Sequence, residues 1–303
     1  MMMKHDRFLL LTLIILSLFT SELRSQPENS LPGLLVSTDW LEDNLADTTL
    51  VILHFGNEEG YYAGHIPGAR LFSMDMFVVD DDQGRRNEIP ENEKLEQALR
   101  FWGINNDSKV IICHGDEYGL ITAARLYLTL DYAGMGDRSA ILNGGFPAWK
   151  KENRSLTTET SVFKEGNLKI APHDRLLVSK QWVFNNLDSQ GVAILDARPR
   201  RIYSGKSEDH NTTRRGHIPG AINLSYDKVA ESDAQNYFKS PDALRLVFEE
   251  QGVTPGDTIV TYCGSGIWAA SVYVASRLLG YNVHFFDGSF QEWGNDDTMP
   301  VEK

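Results

Sequence analysis

Gly64-His65-Ile66-Pro67-Gly68-Ala69 recurs without change as Gly216-His217-Ile218-Pro219-Gly220-Ala221. Identity at every place, glycines and proline included, marks a duplicated unit. The likeness extends outward from both copies. Leu50-Val51-Ile52-Leu53 precedes the first and Val192-Ala193-Ile194-Leu195 the second. Downstream, Val110-Ile111-Ile112-Cys113-His114 matches Thr258-Ile259-Val260-Thr261-Tyr262-Cys263. A helical stretch follows each, Thr122 to Leu130 and Ala269 to Leu279. The copies close alike, on Leu142-Asn143-Gly144-Gly145-Phe146-Pro147-Ala148-Trp149 and Phe286-Asp287-Gly288-Ser289-Phe290-Gln291-Glu292-Trp293.

Short runs that are apolar throughout read as strands buried on both faces, the signature of a parallel sheet. Alternation with helical stretches gives βαβ units. The chain is therefore expected to hold two α/β domains, each a parallel sheet with helices on both faces. Their spans are 35–152 and 175–303, joined by a linker over 153–174. A length of 303 residues suits two domains.

The N-terminus carries Lys4 and Arg7, then an apolar run from Phe8 to Phe19, then Thr20-Ser21-Glu22-Leu23-Arg24-Ser25. That order predicts a secretory signal peptide over 1–25, cut after Ser25 or after Ser21. The run is short for a membrane span, although an uncleaved anchor is the alternative. The expectation is an exported, periplasmic protein with no membrane attachment after cleavage. Lys and Arg number 29 against 42 Asp and Glu, a net charge of −13. That balance argues against nucleic-acid and anionic-lipid partners. No cofactor and no metal is implied, since the eight histidines are scattered and no Cys/His cluster has ligand spacing.

The candidate site is Cys263-Gly264-Ser265-Gly266-Ile267-Trp268, between a strand end and a helix beginning near Ala269. Open α/β sheets bind ligands beyond the carboxyl ends of their strands. Gly264 and Gly266 let the loop curl so that backbone N–H groups face inward, and these with the helix N-terminus favour an anion. Cys263 is therefore expected to be a nucleophile with a depressed pKa. In the other copy His114 stands at its place. Cys113 lies one position earlier and reads as core packing.

With these motifs stated, the chain resembles a tandem-domain rhodanese, the sulfurtransferase family of 3-mercaptopyruvate and thiosulfate enzymes. The resemblance rests on the doubled Gly-His-Ile-Pro-Gly-Ala, the paired Trp149 and Trp293 endings, and a cysteine loop in the second domain alone. It implies an inactive N-terminal domain and a catalytic C-terminal one. Mercaptopyruvate enzymes of the family carry Cys-Gly-Ser-Gly-Val-Thr, which residues 263–266 match, with Ile267 and Trp268 as departures. Thiosulfate enzymes carry Cys-Arg-Lys-Gly-Val-Thr.

The resemblance makes Arg198, in Asp196-Ala197-Arg198, a holder of a small anionic sulfur donor. Where the family has a second arginine this chain has Ile202, with Arg201 adjacent as a substitute. Gly264, Gly266, Ile267 and Trp268 would line the substrate. Ser265 and His65 would form a proton relay, although His65 recurs as His217, which equally suggests a turn-holding residue. The implied reaction moves a sulfane sulfur through a Cys263 persulfide to a thiol or cyanide, with a thioredoxin-like protein as one candidate acceptor. A noncatalytic persulfide carrier is the alternative. A Cys-x5-Arg phosphatase is disfavoured, because Ala269 stands where the arginine would be.

Overall fold

The computed structural model describes residues 31–115, 119–231 and 236–303. The expected export signal, 1–25, lies outside the described residues. The first half holds strands β1 (Leu35–Val36), β2 (Leu50–Phe55), β3 (Ala69–Phe72), β4 (Lys109–His114) and β5 (Ser139–Leu142). They form one sheet in the order β1-β5-β4-β2-β3. The second half holds β6 (Val192–Asp196), β7 (Ile222–Asn223), β8 (Thr258–Tyr262) and β9 (Asn282–Phe285), ordered β7-β6-β8-β9. Every one of these strand pairings is parallel. Leu177 makes a parallel bridge to Phe285, the place that β1 takes beside β5. The two sheets thus share one plan.

The apolar strand runs have a direct physical reason. Side chains alternate across a sheet, and both faces are covered. Val51, Leu53 and Phe55 of β2 enter one core, while Ile52 enters another with Leu41, Phe146 and Trp149. In the second half Ala193 and Leu195 of β6 join the first of these cores, while Ile194 packs with Val183, Phe290 and Trp293. One core therefore runs through both halves. It is filled by helices Gly119–Tyr132 and Ala269–Leu278, which are buried nearly all round. Helices apolar on every side belong between layers. The helix expected over Thr122–Leu130 begins earlier, at Gly119.

The repeated motif is a turn device. Ala69 N donates to Ile66 O at 3.0 Å, and Ala221 N to Ile218 O at 3.0 Å. Gly68 and Gly220 sit at φ 80° and 72°. Proline then positive-φ glycine at the two central places is what a type II turn requires. After each final helix the chain returns to the motif histidine: Thr157 pairs antiparallel with His65, and Glu302 with His217. The buried indoles of Trp149 and Trp293 secure these returns, donating to Ser155 O at 2.9 Å and Pro300 O at 2.7 Å. The connection over 153–174 is accordingly an ordered strap. Gly166 N donates to Arg100 O at 2.7 Å, and Leu168 is fully buried.

Candidate active site

β8 delivers Cys263 to its carboxyl end, and helix Ala269–Leu278 starts after a short arc. The register pairs His54 with Cys113 and Asp196 with Tyr262. Cys113 therefore corresponds to Tyr262, and His114 to Cys263. The arc is anchored from behind. Cys263 N donates to Ser289 Oγ at 3.2 Å. The carbonyls of Cys263 and Gly264 accept from Phe290 N at 2.9 Å and Gln291 N at 3.0 Å. With these groups held by helix Ser289–Gly294, the N–H groups of Ala269, Ser265 and Trp268 act on the cysteine sulfur.

The expected fall in thiol pKa is not found. Burial pushes the Cys263 thiol up, and the three N–H donors pull it down without overcoming that effect. The residue is 2% exposed, so the desolvation cost of a thiolate dominates the donors. Cys113 is fully buried and its thiol is also pushed up, by burial, as suits core packing.

The first half contributes directly to this arc. Asn87 Nδ2 donates to Ser265 Oγ at 3.0 Å. Arg125, wholly buried on helix Gly119–Tyr132, donates to Gly266 O at 3.3 Å, Asp287 Oδ1 at 2.8 Å and Asn87 O at 2.6 Å. Ile89 N donates to Asp287 Oδ2 at 2.7 Å. Gln291 pairs with the backbone of Arg86 in both directions, at 2.9 and 2.8 Å, and donates to Glu88 Oε1 at 3.2 Å. Burial, with the charge of Asp287 beside it, pushes the Glu88 carboxyl up to about 8 against the pull of Arg85 and Arg125. The arrangement is reciprocal. A loop of the second half reaches the opposite site, where Phe238 N donates to Asn143 Oδ1 at 3.2 Å and Gly144 N donates to Asn236 O at 3.0 Å. His114 Nε2 faces the same Asn236 carbonyl at 3.2 Å.

Two sequence expectations need correction. His65 does not meet Ser265. Its ring nitrogens face the carbonyls of Tyr61 at 2.8 Å and Glu159 at 3.2 Å, and its ring stacks on Tyr61 at 3.7 Å. His217 repeats this by stacking on Tyr203 at 3.7 Å, so both histidines hold turns. Arg198 is not an open anion clamp. It is fully buried, with Asp196 at 2.6 Å and Asp209 at 3.2 Å, and donates to Gly216 O at 2.8 Å. Burial opposes its charge, yet Asp196, Tyr262 and Asp209 together outweigh burial and raise its pKa.

Arg201 is exposed, with Nε donating to Ser207 Oγ at 3.3 Å. Trp268 stacks on Tyr226 at 5.2 Å, and Ile267 is half-buried. Gly264 lies hard against Asp209 and Asn211. A Cβ there would sit 2.8 Å from Asn211 Nδ2 and 3.0 Å from Asp209 Oδ2. Sequence reasoning missed Asn87, Arg125, Asp209 and Asn211 as neighbours of the arc. For Asp287 a signal existed, since the matching place in the first copy is Asn143 and the copies differ there in charge.

Residues 37–152 and 179–296 each match the model of the rhodanese-like domain. The chain is 31% identical over 274 residues to a thiosulfate sulfurtransferase of Azotobacter vinelandii, covering 90% of this chain and 98% of that protein. It is 32% identical over 286 residues to the sulfur carrier protein TtuD of Thermus thermophilus, covering 90% and 97%. The crystal structure of SseA from Escherichia coli, described among 3-mercaptopyruvate sulfotransferases, superposes with a TM-score of 0.73. That match is at 28% identity and covers 85% of this chain and 98% of that one.

Proposed function

The chain belongs to the rhodanese-like family, with two such domains in tandem, and from that membership we propose a sulfurtransferase of the 3-mercaptopyruvate or thiosulfate type that works through a persulfide on Cys263. The observation that carries this reading is Cys263 at the end of β8, on an arc that leads into helix Ala269–Leu278 and whose N–H groups at Ser265, Trp268 and Ala269 pull the thiol pKa down. Such fixed donors need no reorganisation when charge develops at the sulfur.

In the first step the Cys263 thiolate attacks the donor's transferable sulfur, the thiol sulfur of mercaptopyruvate or the outer sulfur of thiosulfate. An S–S bond forms on the enzyme. With mercaptopyruvate the donor's C–S bond breaks, and the departing enolate takes a proton to become pyruvate. With thiosulfate the donor's own S–S bond breaks and sulfite leaves. In the second step a thiol or cyanide attacks the outer sulfur, and the Cys263 thiolate returns. Mercaptopyruvate is the first candidate donor, on Cys263-Gly264-Ser265-Gly266. Ser265 would serve the enolate. Its Oγ accepts from Asn87, which leaves the hydroxyl proton available for transfer.

Steady-state kinetics with both donors, for the wild type and Cys263→Ser, test the reading. Turnover should vanish in the variant, and donor alone should add the mass of one sulfur atom to Cys263 in the wild type. Residual turnover equal to wild type would remove the covalent step.

A second reading, a persulfide carrier that unloads only to a partner protein such as one of thioredoxin type, draws support from Arg198. That cation is bound to two carboxylates, and Asp209 crowds Gly264. Single loading without turnover on small thiols would favour it. The N-terminal pattern at 1–25 adds export to an oxidising periplasm, tested by fractionation of cells expressing the full chain.

A further inference from the structure

A cleft of about 740 Å³ borders the cysteine arc. Its walls include Phe72, Met74, Trp102, Ile121 and Asn87 of the first half, and it meets the arc at Ile267. Asn87 is the residue bonded to Ser265, so the cleft adjoins the catalytic loop itself. Beside the apolar side chains stand the neutral polar ones of Asn57, Ser73 and Thr122. Trp102 directs its indole N–H to Met76 Sδ at 2.9 Å, away from competing roles, and so offers an apolar body. Glu58 is the one charged side chain among the described lining residues, and it is an acid. No lysine, arginine or histidine stands among these lining residues, and the chain as a whole carries −13.

We propose that this cleft is the acceptor subsite, and that it takes a thiol with an uncharged apolar body, aryl or branched alkyl, in preference to an anionic thiol. The inference rests on the sulfur-transfer reading of Cys263 and names the substrate class of its second step. The acceptor thiolate attacks the outer sulfur of the Cys263 persulfide. A new S–S bond forms on the acceptor, the enzyme's S–S bond breaks, and the electron pair returns to Cys263. Apolar contact with Phe72, Met74 and Trp102 gains free energy by leaving water, whereas a carboxylate would meet the like charge of Glu58 and no cation among these lining residues.

The test uses the full-length protein loaded with sulfur by donor and freed of excess donor. Discharge is followed in a single turnover with 2-phenylethanethiol, 2-mercaptoethanol and 3-mercaptopropionate, rates being corrected to the thiolate fraction. The arylalkyl thiol should discharge on the order of tenfold faster than the anionic one. Met74→Lys, which puts a cation on the wall, should collapse that ratio. Equal rates for the three thiols, or a ratio untouched by Met74→Lys, would overturn the proposal. Binding is measured separately on Cys263→Ser, where no sulfur chemistry occurs, with 2-phenylethanol as probe. Quenching of tryptophan emission that disappears in Trp102→Phe is expected, and its absence counts against the cleft. Failure of any donor to load Cys263 would instead strike the sulfur-transfer reading, with the binding experiment still deciding the cleft.

Discussion

Asn87 in the first half donates its side-chain amide to the hydroxyl oxygen of Ser265 in the second, at 3.0 Å. The contact joins residues far apart in sequence and orients the one hydroxyl on the cysteine arc. Asn87→Ala should therefore lower kcat with mercaptopyruvate by roughly tenfold, the usual scale of a lost proton-transfer contribution being larger than that of one neutral hydrogen bond. The effect on thiosulfate, whose leaving group needs no proton, should be smaller. The ratio of the two kcat changes is the measurement, and an equal loss with both donors would assign Asn87 to loop support alone.

Arg125 spans the boundary between halves and ends in the Asp287 carboxylate at 2.8 Å. Arg125→Met leaves Asp287 and the Gly266 and Asn87 carbonyls without that donor. Loss of one partner from a buried pair costs about 3–5 kcal/mol. The denaturant midpoint should fall, and Arg125→Met combined with Asp287→Asn should lose less than the sum of the single variants. Strict additivity would show that the pair is not coupled.

The Glu88 carboxyl, held up to about 8 by burial and by Asp287, makes stability depend on pH. Its folded pKa lies above its unfolded one, so the unfolded chain releases the proton first. The stabilising contribution is complete below the ordinary glutamate range and is lost as pH rises through about 8. Thermal midpoints of the wild type should decline across that window, and those of Glu88→Gln should decline less. Parallel curves for the two proteins would contradict the assignment.

Asp209 accepts from Arg198 Nη1 at 3.2 Å and lies against Gly264. Asp209→Asn removes one of the two carboxylates that neutralise Arg198 and takes a negative charge from the mouth of the arc. KM for mercaptopyruvate and thiosulfate should fall several-fold, with kcat less affected. An unchanged KM for both would mean that anionic donors do not pass this residue.

Much of this molecule is legible in its primary structure. The doubled Gly-His-Ile-Pro-Gly-Ala encodes a turn whose proline and glycine occupy fixed backbone conformations, and such information is local. The apolar runs around Ile52, Ile111, Ile194 and Val260 encode strands covered on both sides. The strand-to-helix position of Cys263 identified the arc and its inward N–H groups. Motif identity misled at His65, because a histidine kept in both copies was stacking on a tyrosine in both. It also misled at Arg198, whose two acidic partners, Asp196 and Asp209, satisfy the guanidinium inside the domain.

The order of residues alone determined the duplication, the parallel α/β plan and the place of Cys263 at a strand end, since periodicity, turn chemistry and strand ends are properties of neighbouring residues. Only the tertiary structure decided how the thiol titrates and which side chains surround it. Burial of Cys263 and the approach of Asn87, Arg125 and Glu88 arise when distant segments close over the same arc. Desolvation and cross-domain pairing depend on that closure, and no short stretch of the chain records it.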